Sequence, residues 1–374
     1  MPFSISSLVL ADLRVFAHSL IDPAAARVAV PPGKPERGYW FGGGNMAAGP
    51  DGTLYLCGRY RSAGDSRTGL DLGDRGRELA VFASRDGGRS WTKALSFDKA
   101  AVSPDGGEAL SIEGSALRFS PGRVDLFVSS EKRVPYPAPV EAFQKPGTGI
   151  WSIERLSAPT LEGLARARPR TVLAGGDPAT LQVKDPFLAE RPEGGLFLFF
   201  CHQSFNWSSS NTGYVPLGAD GEPEGPPVYD AWPRGPAWDV AITRGTCVLP
   251  LPKPPPGAST SPSDWPEGIG LAFYDGGECL RNLDEHAAAV KRPRGYSCEE
   301  LGGLGYYVEG DPSRFRRISE IFPEFTSPDG TGCLRYVDVL AGPDAYIATW
   351  QQSRPDGSQA LMIQRVERSS GSPS

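Results

Sequence analysis

A short two-strand unit recurs along this chain, and a repeat of that kind leaves few folds open. Each copy starts on a polar or acidic residue, runs through a short apolar strand, turns on Gly, Pro or Asp, and returns in a more apolar strand. The copies are NMAAGPDGTLYLCGRYR from Asn45, EGSALRFSPGRVDLFVSSEKR from Glu113, KDPFLAERPEGGLFLFFCHQ from Lys184, WDVAITRGTCVLPLPK from Trp238 and LRYVDVLAGPDAYIATWQQSR from Leu334. Further strand-like segments follow at 78–88, 268–278, 301–311 and 360–366. A four-stranded unit with its loops takes roughly 40 to 50 residues or more, so five fill the 374 residues. About twenty short antiparallel strands cannot form one open sheet without curling or splitting. Packing small sheets radially buries both faces of each and leaves only short edges. The chain therefore reads as all-β, a five-bladed β-propeller in a single domain over 1–366, with 367–374 as a disordered tail. First strands are expected near 45, 113, 185, 239 and 335, and LVLADLRVFAHSL at 8–20 is expected to supply an outer strand to the last blade.

Composition narrows the function classes. Turn-rich strands suit the 46 glycines and 37 prolines, and 17 Phe, 12 Tyr and 8 Trp exclude a disordered chain. The net charge of −6 is interspersed with no basic stripe, which speaks against a nucleic-acid partner. No apolar run is long enough to span a membrane. The first residues lack a basic start and a long apolar core, so the expected location is cytoplasmic, or outside the cell if a leader was removed. Cys57, Cys201 and Cys247 sit in apolar runs and read as buried thiols; Cys279 and Cys298 are the best-placed disulfide partners. NLDEHAAAV at 282–290 is the best helix candidate, and 251–266 reads as a Pro/Ser-rich loop. The three histidines, His18, His202 and His286, have no metal spacing. No cofactor is expected, although the acidic residues leave room for a Ca²⁺ ion in the channel.

Residues 84–91 read Ser-Arg-Asp-Gly-Gly-Arg-Ser-Trp. They match S-x-D-x-G-x-[ST]-W and so resemble the Asp-box, or BNR repeat, of sialidase-like propellers. Its role there is structural: Asp86 accepts from turn amides, Gly87 and Gly88 allow unusual backbone angles, and Trp91 packs beneath the hairpin. A broader resemblance runs from about 45 to 366. VKDPFL with GGLFLFF, GIGLAFYDGGE with LGGLGYYVEGDPSRFRRISE, and LRYVDVL with SRPDGSQALMI are similar to successive blades of five-bladed furanosidase-type glycoside hydrolases. There is one Asp-box and no Arg-Ile-Pro motif near the N-terminus, unlike a standard six-bladed sialidase.

First strands of a propeller line its channel, so the leads Asn45, Glu113, Asp185, Asp239 and the Arg335/Tyr336/Asp338 group are expected to converge. Clustered carboxylates suit glycoside hydrolysis, which needs one acid to protonate the leaving oxygen and a second as nucleophile or base. The furanosidase resemblance implies Asp185 as the charge-stabilising acid, Glu113 as base or nucleophile and Asp239 as general acid. The acid types are reversed from that family, which carries Asp first and Glu third. Arg59, Arg61, Glu131 with Lys132, and His202 lie at the ends of second strands, where they would bind sugar hydroxyls; Trp207, Trp232 and Trp238 are candidates for stacking on a sugar ring. The reading is a carbohydrate-active enzyme cleaving a glycosidic bond. Two alternatives stand beside it. One is a sialidase-like exo-glycosidase on acidic sugars, for which arginines among Arg59, Arg61, Arg244 and Arg335 would hold a carboxylate. The other is a non-catalytic propeller that binds glycan or protein.

Overall fold

The computed structural model describes residues 5–62, 76–104, 107–144, 146–178, 180–203, 209–278 and 300–368. Its strands form five four-stranded antiparallel blades, the first and last of them joined into one sheet by the short strand Trp40–Gly42, which pairs antiparallel with Leu54–Arg61 and parallel with Gln359–Glu367. Blade 1 is Met46–Ala48, Leu54–Arg61, Glu78–Ser84 and Thr92–Phe97; blade 2 is Ala109–Ser120, Arg123–Lys132, Ile150–Ala158 and Arg170–Ala174. Blade 3 is Gln182–Glu190, Leu196–Gln203, Asn211–Leu217 and Val228–Trp232; blade 4 is Ile242–Pro250, Gly270–Gly277, Leu301–Tyr307 and Arg316–Arg317. Blade 5 is Leu334–Ala341, Ala345–Ser353 and Gln359–Glu367, completed on the outside by Arg27–Val30. The innermost strand of each blade contacts that of the next, and the fifth returns to the first, so the sheets close into a five-bladed β-propeller.

The period-2 pattern explains why both faces of a blade are buried. In Leu196–Gln203 every residue is buried. Leu196, Leu198 and Phe200 pack with Phe127 and Ile153 of blade 2. Phe197 and Phe199 pack with Ala272 and Tyr274 of blade 4. Burying such side chains contributes about 1.5–3 kcal/mol each, and this inter-blade packing holds the ring together.

Residues 8–20 are not a strand. They form most of the helix Ser7–Leu20, capped by the Ser6 side chain accepting from the Val9 N–H. Val9, Leu13, Phe16, Ala17 and Leu20 recur at helical spacing, and together they cover Trp265, Phe273, Leu304 and Tyr346 at blades 4 and 5. A strand would have split this apolar stripe between two faces. Asp12 fastens the helix to the 251–266 loop by accepting from the N–H and hydroxyl groups of both Ser259 and Thr260. The outer strand of the last blade comes instead from Arg27–Val30, paired with Gln359–Glu367. Residues 282–290, Cys279 and Cys298, and residues 369–374 lie outside the described residues; Cys57, Cys201, Cys247 and Cys333 are buried free thiols. No helix among the described residues is long and apolar enough to cross a membrane.

The 84–91 motif forms the hairpin between the third and fourth strands of blade 1, at the periphery. Asp86 accepts from the Ser90 N–H (2.9 Å), the Ser90 hydroxyl (2.6 Å) and the Ser84 hydroxyl (2.7 Å), and the Ser84 oxygen accepts from the Gly88 N–H. Asp86→Ala removes three of these bonds, and thermal melting is expected to show a lower Tm with catalytic or binding function unchanged. An unchanged Tm with lost function would overturn the structural role.

Candidate active site at the propeller axis

The five innermost strands share one irregularity at the same end. The register slips between Ile112 and Ser115, Lys184 and Phe187, Gly245 and Cys247, and Arg335 and Asp338. In blade 1, Gly43–Asn45 interrupt the ladder between Gly42↔Arg59 and Met46↔Leu56. Such a bulge frees one residue from pairing and re-aims it. The equivalent first residues are Gly43, Glu113, Asp185, Gly245 and Tyr336, so two carboxylates and a tyrosine reach the axis from this position. Asp185 (φ 53°) and Tyr336 (φ 54°) are left-handed, which for non-glycine residues stores about 1–3 kcal/mol each.

Arginines organise these groups. Arg59 donates to Glu113 through Nε (2.9 Å) and Nη2 (2.7 Å), to the Gly42 carbonyl (2.9 Å), and to the Tyr336 hydroxyl (3.1 Å). Gly43 must lack a side chain here, because a Cβ would lie 2.1 Å from the Arg59 guanidinium. Arg61 pairs with the other Glu113 oxygen. Arg244 contacts Asp185 (3.4 Å), Asp275 (2.7 Å) and Glu300 (2.7 Å), and Glu300 also pairs with Arg335. Asp185 further accepts from the Gly114 N–H (3.1 Å) and the Tyr336 hydroxyl (3.4 Å). The guanidinium carbons of Arg59, Arg244 and Arg335 stand 5.2, 4.2 and 5.4 Å from the centre of the Tyr336 ring.

Every group in this centre is largely dry. Arg59, Glu113, Asp185, Arg244, Asp275, Arg335 and Tyr336 are between 0 and 7% exposed, so their pairings act with little solvent screening. Burial raises the Asp185 carboxyl, but Arg244, with Lys184 and Arg59, outweighs it and holds the group below its ordinary value. Asp185 is thus the ionised partner. Burial wins at Asp275, which is pushed up to about 6 despite Arg244. Tyr336 is raised by burial against the pull of Arg244 and Arg59, and it stays a neutral hydroxyl donor.

The other sequence candidates take different places. Asn45 lies two residues past the bulge and clasps blade 1 to blade 2, accepting from the Leu117 N–H (2.7 Å) and donating to the Leu117 carbonyl (3.0 Å). Asp239 is not joined to Glu113 and Asp185. It precedes its strand, and one oxygen of its carboxylate, Oδ2, is held by Arg317 (2.7 Å) and Tyr274 (3.0 Å) of blade 4. Glu131 accepts from the Gly149 N–H (2.7 Å), Lys132 pairs with Glu154 (2.8 Å), and His202 Nε2 meets Asp230 (3.0 Å). Asp338 lies two residues past the Tyr336 bulge and accepts from the Met46 N–H (2.7 Å), clasping blade 5 to blade 1. Trp232 is wholly buried, with its N–H on the Pro312 carbonyl, so it is core and not a stacking platform. Trp238 packs on Tyr274, and Trp207 lies outside the described residues. Asp275 and Glu300 had not been anticipated. Asp275 occupies the place in blade 4 that Arg59 holds in blade 1, one pair before the bulge, so aligning second strands by their turns would have found it. Among the described residues no group of three or more His, Cys, Asp or Glu is arranged to hold a metal ion.

Fold and site together define a five-bladed β-propeller with a buried arginine–carboxylate centre on its axis. No family model matches the chain, and no curated protein matches its sequence. Solved structures do match in fold. An α-L-arabinofuranosidase from Lactobacillus brevis is 12% identical with a TM-score of 0.54, covering 93% of both chains. A thermostable family-43 glycoside hydrolase is 14% identical with a TM-score of 0.57, covering 91% of this chain and 97% of the other. An endo-arabinase from Bacteroides thetaiotaomicron is 11% identical with a TM-score of 0.54, covering 92% of this chain and 99% of the other.

Two outcomes test the electrostatics. Arg244→Met leaves buried carboxylates without their shared cation, and denaturant unfolding is expected to show a loss of about 3–5 kcal/mol; a loss below about 1 kcal/mol contradicts the pairing. The second concerns Asp338, which burial raises from 3.8 to about 6. A carboxyl whose folded pKa is raised adds stability at low pH and gives it up as pH rises through that value. The contribution of Asp338 should therefore fall as pH climbs from about 4 through 6, so the Tm of the wild type relative to that of Asp338→Asn should drop over this range. Identical pH profiles would show that Asp338 ionises normally.

Proposed function

We propose that this protein is a glycoside hydrolase that cleaves a glycosidic bond at the propeller axis, with Glu113 and Asp185 as its working carboxylates. The observation that carries the reading is the pair itself: two acids on equivalent bulges of adjacent blades, one of them in a strained conformation, each held by arginine. Strain of this kind persists where the surroundings over-determine it, and it concentrates at functional sites. Asp185, ionised and hydrogen-bonded by Tyr336 and Gly114, suits stabilisation of the oxocarbenium-like charge. Glu113, oriented by Arg59 and Arg61, suits attack on the anomeric carbon or activation of water. The shared fold with an arabinofuranosidase, a family-43 glycoside hydrolase and an endo-arabinase supports this chemistry and suggests a pentose-bearing glycan.

The charge balance bears on the acidic-sugar alternative. Arg59, Arg61, Arg244 and Arg335 do gather at one end, but Glu113, Asp185, Asp275 and Glu300 already pair with them. A neutral sugar leaves those pairs intact, so it is the favoured substrate.

Glu113→Gln and Asp185→Asn should each lower activity on aryl α-L-arabinofuranosides or β-xylosides by at least about a hundredfold, with a folded state confirmed by melting. Full activity in Asp185→Asn would refute the assignment. If the wild type is inactive on these glycosides and on sialosides but binds glycan, the non-catalytic reading takes its place.

A further inference from the structure

A cavity opens beside the axial centre, in the crevice between blade 1 and the segment that leads from the closing strand of blade 5. Its volume is about 720 Å³, within the range of about 300–1,000 Å³ typical of small-molecule sites. Tyr60, Glu78 and Lys93 from three adjacent strands of blade 1 form one side, and residues 31–33 with Tyr39 form the other. Arg61 belongs to both places. It lines this cleft, and its guanidinium pairs with Glu113 at the axis. Arg61 thus joins the cleft to the Glu113 carboxylate.

The chemistry of the lining selects its occupant. Tyr39 and Tyr60 are half-buried, and neither hydroxyl has a hydrogen-bond partner among the described residues. Each ring carries a lysine near one face, Lys34 at 5.3 Å from the Tyr39 centre and Lys93 at 4.9 Å from that of Tyr60. Amphipathic rings with open hydroxyls match a sugar, which offers C–H faces to stack and hydroxyls to bond. Burial, helped by Glu78, raises the Tyr60 hydroxyl to about 12, so it remains a donor at any working pH. The charges nearly cancel: Arg61, Arg77 and Lys93 face Glu78 and Asp98, and Lys93 is itself paired with Glu78 at 2.6 Å. A nearly balanced lining holds no strong preference for an anionic ligand.

We propose that this cleft is a binding subsite for the neutral part of a glycan chain that extends from the sugar at the axis. The inference rests on the glycosidase reading for its direction, since Glu113 marks where the scissile sugar sits. Its consequence is a dependence on chain length: longer oligosaccharides bind more tightly because they fill the cleft, and a single sugar on an aryl group does not reach it.

The test uses linear arabino- and xylo-oligosaccharides of two to six units, titrated calorimetrically against the whole wild-type protein and the variants Tyr39→Ala, Lys93→Ala and Tyr60→Phe. In parallel, hydrolysis of a 4-nitrophenyl arabinofuranoside and a 4-nitrophenyl xyloside is measured. In the wild type, affinity for one series should rise at least fivefold from two to five units. Tyr39→Ala and Lys93→Ala should flatten that rise while leaving aryl-glycoside activity unchanged. Tyr60→Phe, which removes one hydroxyl and little volume, should weaken long chains only. Length-independent affinity in the wild type, no binding of either series, or equal losses on short and long ligands would overturn the subsite. The two readings fail separately. Hydrolysis without length dependence sinks the subsite and leaves the glycosidase, and length-dependent binding without hydrolysis sinks the glycosidase and leaves the subsite.

Discussion

One guanidinium ties the centre of this molecule together. Arg244 touches carboxylates of blade 3 and blade 4 and the Glu300 side chain beyond them, and it lies over the tyrosine of blade 5. Asp185 and Asp275 are buried and Glu300 nearly so, and an ionised acid in such a place is tolerated only with a partner. The opposing pKa directions follow from the same competition. Asp185 and Glu300 have enough positive neighbours to stay below their ordinary values, whereas Asp275, fully buried beneath the Tyr336 N–H, does not. The reactive geometry proposed for Asp185 is thus inseparable from how three blades meet.

The bulges give that meeting its form. A regular strand at the axis would alternate its side chains between the two neighbouring blades, and nothing polar would point along the channel. Breaking the ladder once per blade turns a single residue toward the axis while the apolar remainder keeps its inter-blade packing. Freed backbone groups find partners across blades: the Asp185 N–H reaches Ser129, the Gly114 N–H reaches Asp185, and the Met46 N–H reaches Asp338. The same feature that opens the site also stitches the ring.

Much of the architecture was legible because burial on two faces leaves a strong apolar record. The five recurring units point to strands that begin at Met46, Ala109, Gln182, Ile242 and Leu334, close to their expected starts. What the pattern cannot carry is a one-residue slip. Hydrophobic alternation resumes on either side of a bulge, so Asp239, six residues before Gly245, looked equivalent to Asp185 when it is not. Glu113 and Asp185 stand out in the sequence because their polar letters fall directly at the break. The N-terminal segment misled for a related reason: LVLADLRVF supports apolar spacings of both two and three to four, and only the partners of Val9, Leu13 and Phe16 decide between them. Asp275 was hidden at the end of a strand whose other residues are apolar or small.

The closing strand has a consequence for how the chain comes to be folded at all. Arg27–Val30 pairs with Gln359–Glu367, and the Ser7–Leu20 helix lies on blades 4 and 5. Nearly the whole sequence separates these partners. During synthesis the first three blades can assemble as an open arc, but the early strand and helix must wait, with their apolar surface uncovered, until the final strands have left the ribosome. Joining ends so distant in sequence is slow, because the loop entropy is lost before any contact repays it. Each molecule therefore passes through an interval with an unsatisfied edge at either end, and two arcs in that interval could complete one another as readily as themselves. The latch that closes the mature ring is, for the nascent chain, the point most open to domain exchange.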